Sequence, residues 1–214
     1  MITTLSLATG PAIEPISLTD VKTHLRVDDD TEDAYIVTLI RAARRYIENI
    51  TNRSLIVQTW DWFLDDFPAS FFYDDLDRPT YNEGVLYVPR NPLVSVTHIK
   101  YTDGAGVLQT WAASNYEVDT DSTIGRIYPV YNGAWPSDVR NYTKAVEIQF
   151  IAGYADSGAS PRNLSDNVPQ ELKHAIMLLI GHMFKHREMT EITSMNQVPW
   201  SVKDLISSYR DWSF

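Results

Sequence analysis

The spacing of apolar residues changes twice along this 214-residue chain, from a helical period to an alternating one and back again. A period of 3.6 lines one side of a helix and a period of two lines one face of a strand, so a segment written in one does not settle in the other. Ile36, Leu39, Ile40, Ala43, Ile47 and Ile50 recur at three- and four-residue steps and predict a helix over about 31–50. Thr31 is its expected N-cap, with Glu32 and Asp33 complementing the helix dipole. Upstream, Ser17-Leu-Thr-Asp20 reads as a capping box with Asp20 in place of the usual Glu, opening a short helix to about Leu25. From Leu55 to Tyr154 the runs LIVQTWDWF, GVLYVP, LVSVTHIKYT, GVLQTW, YEVD, GRIYPV and AVEIQFIAGY are short and rich in β-branched and aromatic residues. Asp103-Gly-Ala-Gly106 is the expected turn of a hairpin between two of them. The helical period then returns in Leu172, Ala175, Ile176, Leu179, Ile180, Met183 and Phe184, behind Pro169, and in a short final helix marked by Val202, Leu205, Ile206 and Tyr209. Gly181 costs its helix about 1 kcal/mol against Ala and is a place where another helix can come close.

Neither terminal pair of helices is long enough to stand alone. The expected fold is therefore α+β: a small helical bundle formed by the N- and C-terminal helices, with an inserted antiparallel β domain. The expected division is 1–57 plus 158–214 for the helical core and 58–157 for the insertion. Charge follows the same division. Residues 58–160 hold six basic and fourteen acidic side chains, −8 of a total of −10, while 1–57 carry −2 and 161–214 are neutral. Such an acidic chain is a poor candidate for gripping DNA by its phosphates.

Chemistry is harder to find. The absence of Cys excludes a disulfide framework, a thiolate zinc site and a cysteine nucleophile. No apolar run approaches the roughly 20 residues that span a bilayer, and the N-terminal MITTLSLATG lacks the basic stretch of a secretory signal. His182 and His186 stand four apart, with His174 two turns upstream, but the zinc-peptidase pattern needs Glu where Met183 stands. Asp28-Asp-Asp30 opens like a calcium loop and then fails it, with Asp33 and Leu39 at the positions that need Gly and Glu. No Gly-rich phosphate loop and no Gly-x-Ser-x-Gly elbow is present. Trp60, Trp62, Phe71, Phe72, Tyr73, Trp111 and Trp135 could stack on sugars, but read better as the core of a small β domain. No catalytic constellation, metal site or cofactor site emerges. A carbohydrate-binding module of a tail or receptor-binding protein, and a metal-dependent hydrolase using His174, His182 and His186, are the competing readings.

Three stretches carry a resemblance. They are Pro15-Ile-Ser-Leu-Thr-Asp-Val-Lys-Thr-His-Leu-Arg-Val-Asp28, continued by Leu39–Glu48 with Thr51 and Arg53; Phe150-Ile-Ala-Gly-Tyr154 with Val168-Pro169 and Ile176–Glu188; and Val198-Pro-Trp-Ser-Val202 leading to Tyr209-Arg210. In their order and spacing, with Arg90–Val96 between them, the chain resembles the head–tail connector (adaptor) proteins of long-tailed bacteriophages and gene transfer agents, in the larger subgroup with a β domain inserted into the helical core. The resemblance implies a non-enzymatic virion protein without cofactors, located in the capsid–tail neck and assembled in the host cytoplasm. It implies a ring of twelve copies under the portal protein, with a neck stopper or tail-completion protein on the other side. Double-stranded DNA would pass through without specific binding, and no membrane partner is expected. Arg41, Arg44 and Arg45 against Asp28, Asp29 and Asp30 are the expected ring contacts, because a rotational ring joins two different patches. Tyr209, Arg210, Trp212 and Phe214 are the expected portal-docking residues, aromatic and Arg side chains being favoured anchors of interfaces.

Overall fold

The computed structural model describes residues 3–68, 84–154, 165, 167–186 and 200–210. It contains four helices and two antiparallel sheets among these residues, an α+β architecture. The chain divides into two compact units, Met1–Gly10 with Gln58–Gly153 and Pro11–Val57 with Tyr154–Phe214.

The second unit is helical: α1 (Leu18–Leu25), α2 (Asp33–Thr51), α3 (Gln170–Lys185) and α4 (Trp200–Ser207). Their apolar stripes meet in one core, where Val21, Ile36, Ile47, Leu172, Ile176 and Val202 are sealed from solvent. Leu55 and Ile56, just beyond α2, complete it. At the start of α1, Ser17 Oγ accepts the Asp20 N–H at 3.1 Å and donates to the Asp20 carboxylate at 2.6 Å. The cap expected at Thr31 is not there. Its N–H donates to Asp29 Oδ1 at 2.9 Å, its hydroxyl donates to the same oxygen, and α2 begins only at Asp33 behind Glu32. Asp29 competes for these donors by closing an Asx turn, a local bond that delays the helix. Gly181 does admit a neighbour: a Cβ there would lie 3.5 Å from His24 Nε2 and 4.0 Å from Leu25, at the end of α1.

The first unit carries a five-stranded sheet in the order β1 (Thr3–Thr9), β2 (Gln58–Leu64), β8 (Val146–Ala152), β4 (Leu93–Thr102), β5 (Leu108–Trp111). A three-stranded sheet follows the order β3 (Leu86–Tyr87), β7 (Arg126–Pro129), β6 (Tyr116–Asp119). β8 lies centrally and alternates cleanly: Val146, Ile148, Phe150 and Ala152 are fully buried, with Glu147, Gln149 and Ile151 between them half-buried. β4 alternates only roughly because its register slips against β8 twice, between Leu93 and Ser95 and between Val96 and His98. Leu86, Ile127 and Tyr116 bring the smaller sheet into the same core. The Asp103 hairpin forms as its sequence reads: Asp103 Oδ1 accepts the N–H groups of Ala105 and Val107, and Gly106 takes φ +84°.

Two expected boundaries differ. The insertion, read as 58–157, ends at Gly153, with Tyr154 in the helical unit, and the N-terminus belongs to it instead of to the helical core. Residues 1–57 read as part of the helical core, yet Thr3–Thr9 forms β1 and pairs antiparallel with β2 from Thr3↔Leu64 to Thr9↔Thr59. Six of its seven residues are exposed, so burial leaves almost no alternating pattern in the sequence. The strand is defined by a ladder to residues some fifty positions away.

Candidate functional site

The residues expected to act belong to the helical unit, and α2 carries the three arginines among them. Arg44 does not lie on an open face. It is 6% exposed, its Nε donates to Glu14 Oε2 at 2.8 Å, and its Nη1 donates to Glu48 Oε2 at 2.6 Å. Glu48 is equally buried, and its other oxygen accepts the Leu55 N–H at 3.0 Å. Burying a charge is costly unless it is paired and bonded. Here each charged group has partners, and an N–H left over beyond the helix is satisfied as well. Arg44 therefore serves its own fold, whereas Arg41 and Arg45 are exposed on the same helix.

A second polar cluster forms around Arg53, whose N–H, just beyond the C-terminal end of α2, donates to the Glu48 carbonyl at 3.2 Å. Arg53 Nε donates to the Tyr209 carbonyl at 2.8 Å and its Nη1 reaches Tyr154 Oη at 3.4 Å. The Tyr209 hydroxyl donates to Glu171 Oε2 at 3.0 Å. Burial raises the Tyr154 phenol above its ordinary range, against the pull of Arg53. Glu171 is held lower, first by its own backbone N–H and then by Tyr209. In the sequence Arg53 and Tyr154 stand only as landmarks in separate stretches, and Tyr209 as an expected docking residue. Glu14 and Glu171 had no expected role. Partners 30 to 156 residues apart leave no periodic signal, which is why these contacts were not visible. Together the two clusters secure the helical side of every point where the chain passes between units: Glu14 follows Gly10, Leu55 precedes Gln58, and Tyr154 follows Gly153.

Of the residues expected to dock on a portal, Tyr209 is half-buried and engaged as above, Arg210 is exposed, and Trp212 and Phe214 lie outside the described residues. Asp28, Asp29 and Asp30 are all exposed in the loop between α1 and α2. Lys22 reaches Asp30 at 2.6 Å and Asp33 at 2.8 Å, and these two bonds raise its ammonium pKa.

The competing chemistries find the following geometry. The His182 and His186 rings are 4.6 Å apart, and His182 is lowered by desolvation and by its neighbour's charge. Among the described residues no group of three His, Cys, Asp or Glu is placed to hold a metal ion. Of the aromatics expected to stack on sugars, Trp62, Trp111 and Trp135 are buried. Phe67 stacks on Trp135 at 4.8 Å, Trp111 on Tyr116 at 5.4 Å, and the Trp135 N–H donates to the Gly84 carbonyl at 2.6 Å. Trp60 is half-buried, with the Arg90 guanidinium 5.0 Å above its ring. Phe71, Phe72 and Tyr73 lie outside the described residues. No described helix is long and apolar enough to cross a membrane.

Comparison with known proteins gives the fold a context. A chain in a structure titled as the neck of an empty GTA particle computed with C6 symmetry superimposes with TM-score 0.73 at 23% identity, over 97% of this chain and 95% of that one. A chain in the virion of a native gene transfer agent particle gives 0.69 at 23% identity over 96% and 94%. A third, in the neck of a native GTA particle computed with C12 symmetry, gives 0.65 at 23% identity over 98% and 95%. The curated protein sequences contain no significant match. Residues 15–105, which run from the entry to α1 through α2 into the β4–β5 hairpin, match the family described as phage gp6-like head-tail connector protein. Over those residues, somewhat under half of its length, the chain is similar to phage head–tail connector proteins.

Proposed function

We propose that the protein forms a ring, of twelve copies, between the portal of a capsid and the neck or tail beneath it, acting as a structural part without catalysis. The observation that carries this reading is the fold. Nearly the whole chain, β unit included, matches a chain from a particle neck, and two of the matching structures are titled as necks computed with sixfold and twelvefold symmetry. The family match over residues 15–105 supports the connector role independently. Double-stranded DNA is proposed to pass through the ring unheld. A net charge of −10 suits that task, because it repels phosphate instead of neutralising it. The C-terminal residues Arg210, Trp212 and Phe214 are proposed to dock on the portal, with Tyr209 anchoring the segment to the helical unit through Glu171 and Arg53.

The test is mass measurement in solution, of the protein alone and mixed with the portal protein of its own particle. A portal-bound ring supports the reading, and failure to bind any portal or neck protein overturns it. Removal of residues 210–214 is expected to abolish portal binding while the helical unit stays folded by circular dichroism.

A further inference from the structure

Beside α2 lies a cavity of about 420 Å³, walled by Pro11–Glu14 on one side and by Arg41, Arg44 and Arg45 on the other. Arg44 is consumed within the chain, but Arg41 is not: its side chain is 67% exposed and its nearest carboxylate, Glu14, is 4.0 Å away. Arg45 is exposed and has no ion pair among the described residues. Ile13, 41% exposed, gives the groove an apolar lip. A groove with two available guanidiniums on a chain of net charge −10 calls for an acidic occupant, and a second copy of the same chain supplies one.

We propose that the Arg41–Arg45 groove receives the Asp28–Asp30 loop of the neighbouring copy, an inference that rests on the ring reading above. Asp28, Asp29 and Asp30 are consecutive and exposed, and the Asp30 side chain keeps 89% exposure although Lys22 touches it. Asp28 has no ion pair among the described residues. The loop cannot fill the groove of its own chain. Asp33, at the start of α2, and Arg45 are twelve residues apart on one helix, which sets them about 18 Å apart along its axis. Complementary patches at different places on one unit make a heterologous contact, the kind that propagates from copy to copy and closes into a ring. Arg44 drops out of the expected set because it is buried; reversing its charge would test the fold instead of the contact.

The chain has no cysteine, so introduced thiols report position cleanly. With Asp28→Cys and Arg45→Cys together, rings assembled on the portal are expected to oxidise into a ladder of covalent multimers, while neither single variant cross-links. Independently, Arg41→Glu with Arg45→Glu is expected to weaken assembly at least tenfold, and adding Asp28→Lys with Asp30→Lys is expected to restore it. Reversed-charge copies that assemble normally, a failed rescue by the double swap, no ladder in intact rings, or dimers from one single-cysteine variant would each overturn the contact. A wild-type protein that never forms a ring with its portal overturns the ring reading itself, and the contact with it.

Discussion

The helical and β units both bury an apolar core, but they place their charges differently. In the helical unit Arg44 and Glu48 are ionised side chains inside the fold, bonded to each other, to Glu14 and to the Leu55 N–H. In the β unit the core is aromatic and aliphatic, and two of the carboxylates serve turns. Asp103 gathers the N–H groups of its hairpin, and Asp119 gathers the N–H and hydroxyl of Ser122 together with Arg126. In both units polar side chains serve backbone that has left regular structure, where N–H groups lose their ladder or helix partners. At a hairpin that backbone is at the rim. Beyond α2 it lies within the core, so the side chain that satisfies it has to be buried, and its charge needs a buried partner.

The largest expected effect tests the β core. Phe150→Ala in central β8 is expected to cost about 4 kcal/mol, the usual scale for an aromatic ring removed from a close-packed interior. Denaturant unfolding measures it, and amide exchange should localise the loss to the strands. Glu48→Ala comes next, at about 3 kcal/mol, because it strips one partner from buried Arg44 and orphans the Leu55 N–H. A cost below about 1 kcal/mol in urea titration would mean that water replaces the carboxylate and that the buried-charge contrast is wrong.

A pair of glycines sharpens the same contrast. A Cβ on Gly125 would fall 2.4 Å from the Leu93 Cβ in the β core. Gly125→Ala is therefore expected to destabilise by about 2 kcal/mol through overpacking. Gly181→Ala in α3 meets its nearest neighbour at an ordinary 3.5 Å and is expected to stabilise by up to about 1 kcal/mol through helix propensity. Thermal melts of the two variants should move in opposite directions. The smallest effect is electrostatic. The Ser122 hydroxyl, then Arg126, hold the Asp119 carboxyl well below its ordinary range. A lowered folded-state pKa means that the contribution is complete above the unfolded value of about 4 and fades as pH falls towards the folded one. Asp119→Asn should thus be less stable than the parent at pH 7, with the gap closing below about pH 4. A gap independent of pH would mean that the ionised carboxylate contributes nothing beyond the neutral group.

Much of this architecture is legible in residue order. The stripe from Ile36 to Ile47 is buried along α2, the Leu172–Ile180 stripe is buried along α3, and the Asp103 turn forms where its glycines allow it. Thr31 misled because Asp29, two residues away, offers its donors a closer acceptor. β1 was missed because an exposed, uncharged strand has no buried face to impose a period. The three arginines of α2 looked alike in sequence. Burial, the close bond to Glu14 from thirty positions upstream and the pair with Glu48 separate Arg44 from Arg41 and Arg45.

Apart from β1, the sequence by itself determined which segments are helix and which are strand, since those choices depend on neighbours within a turn or two and on the period of apolar side chains. Tertiary structure decided which polar groups are spent on the fold and which remain for a partner. That decision depends on contacts such as Glu14 with Arg44 and Arg53 with the Tyr209 carbonyl, whose members share no local period and meet only when the chain closes on itself.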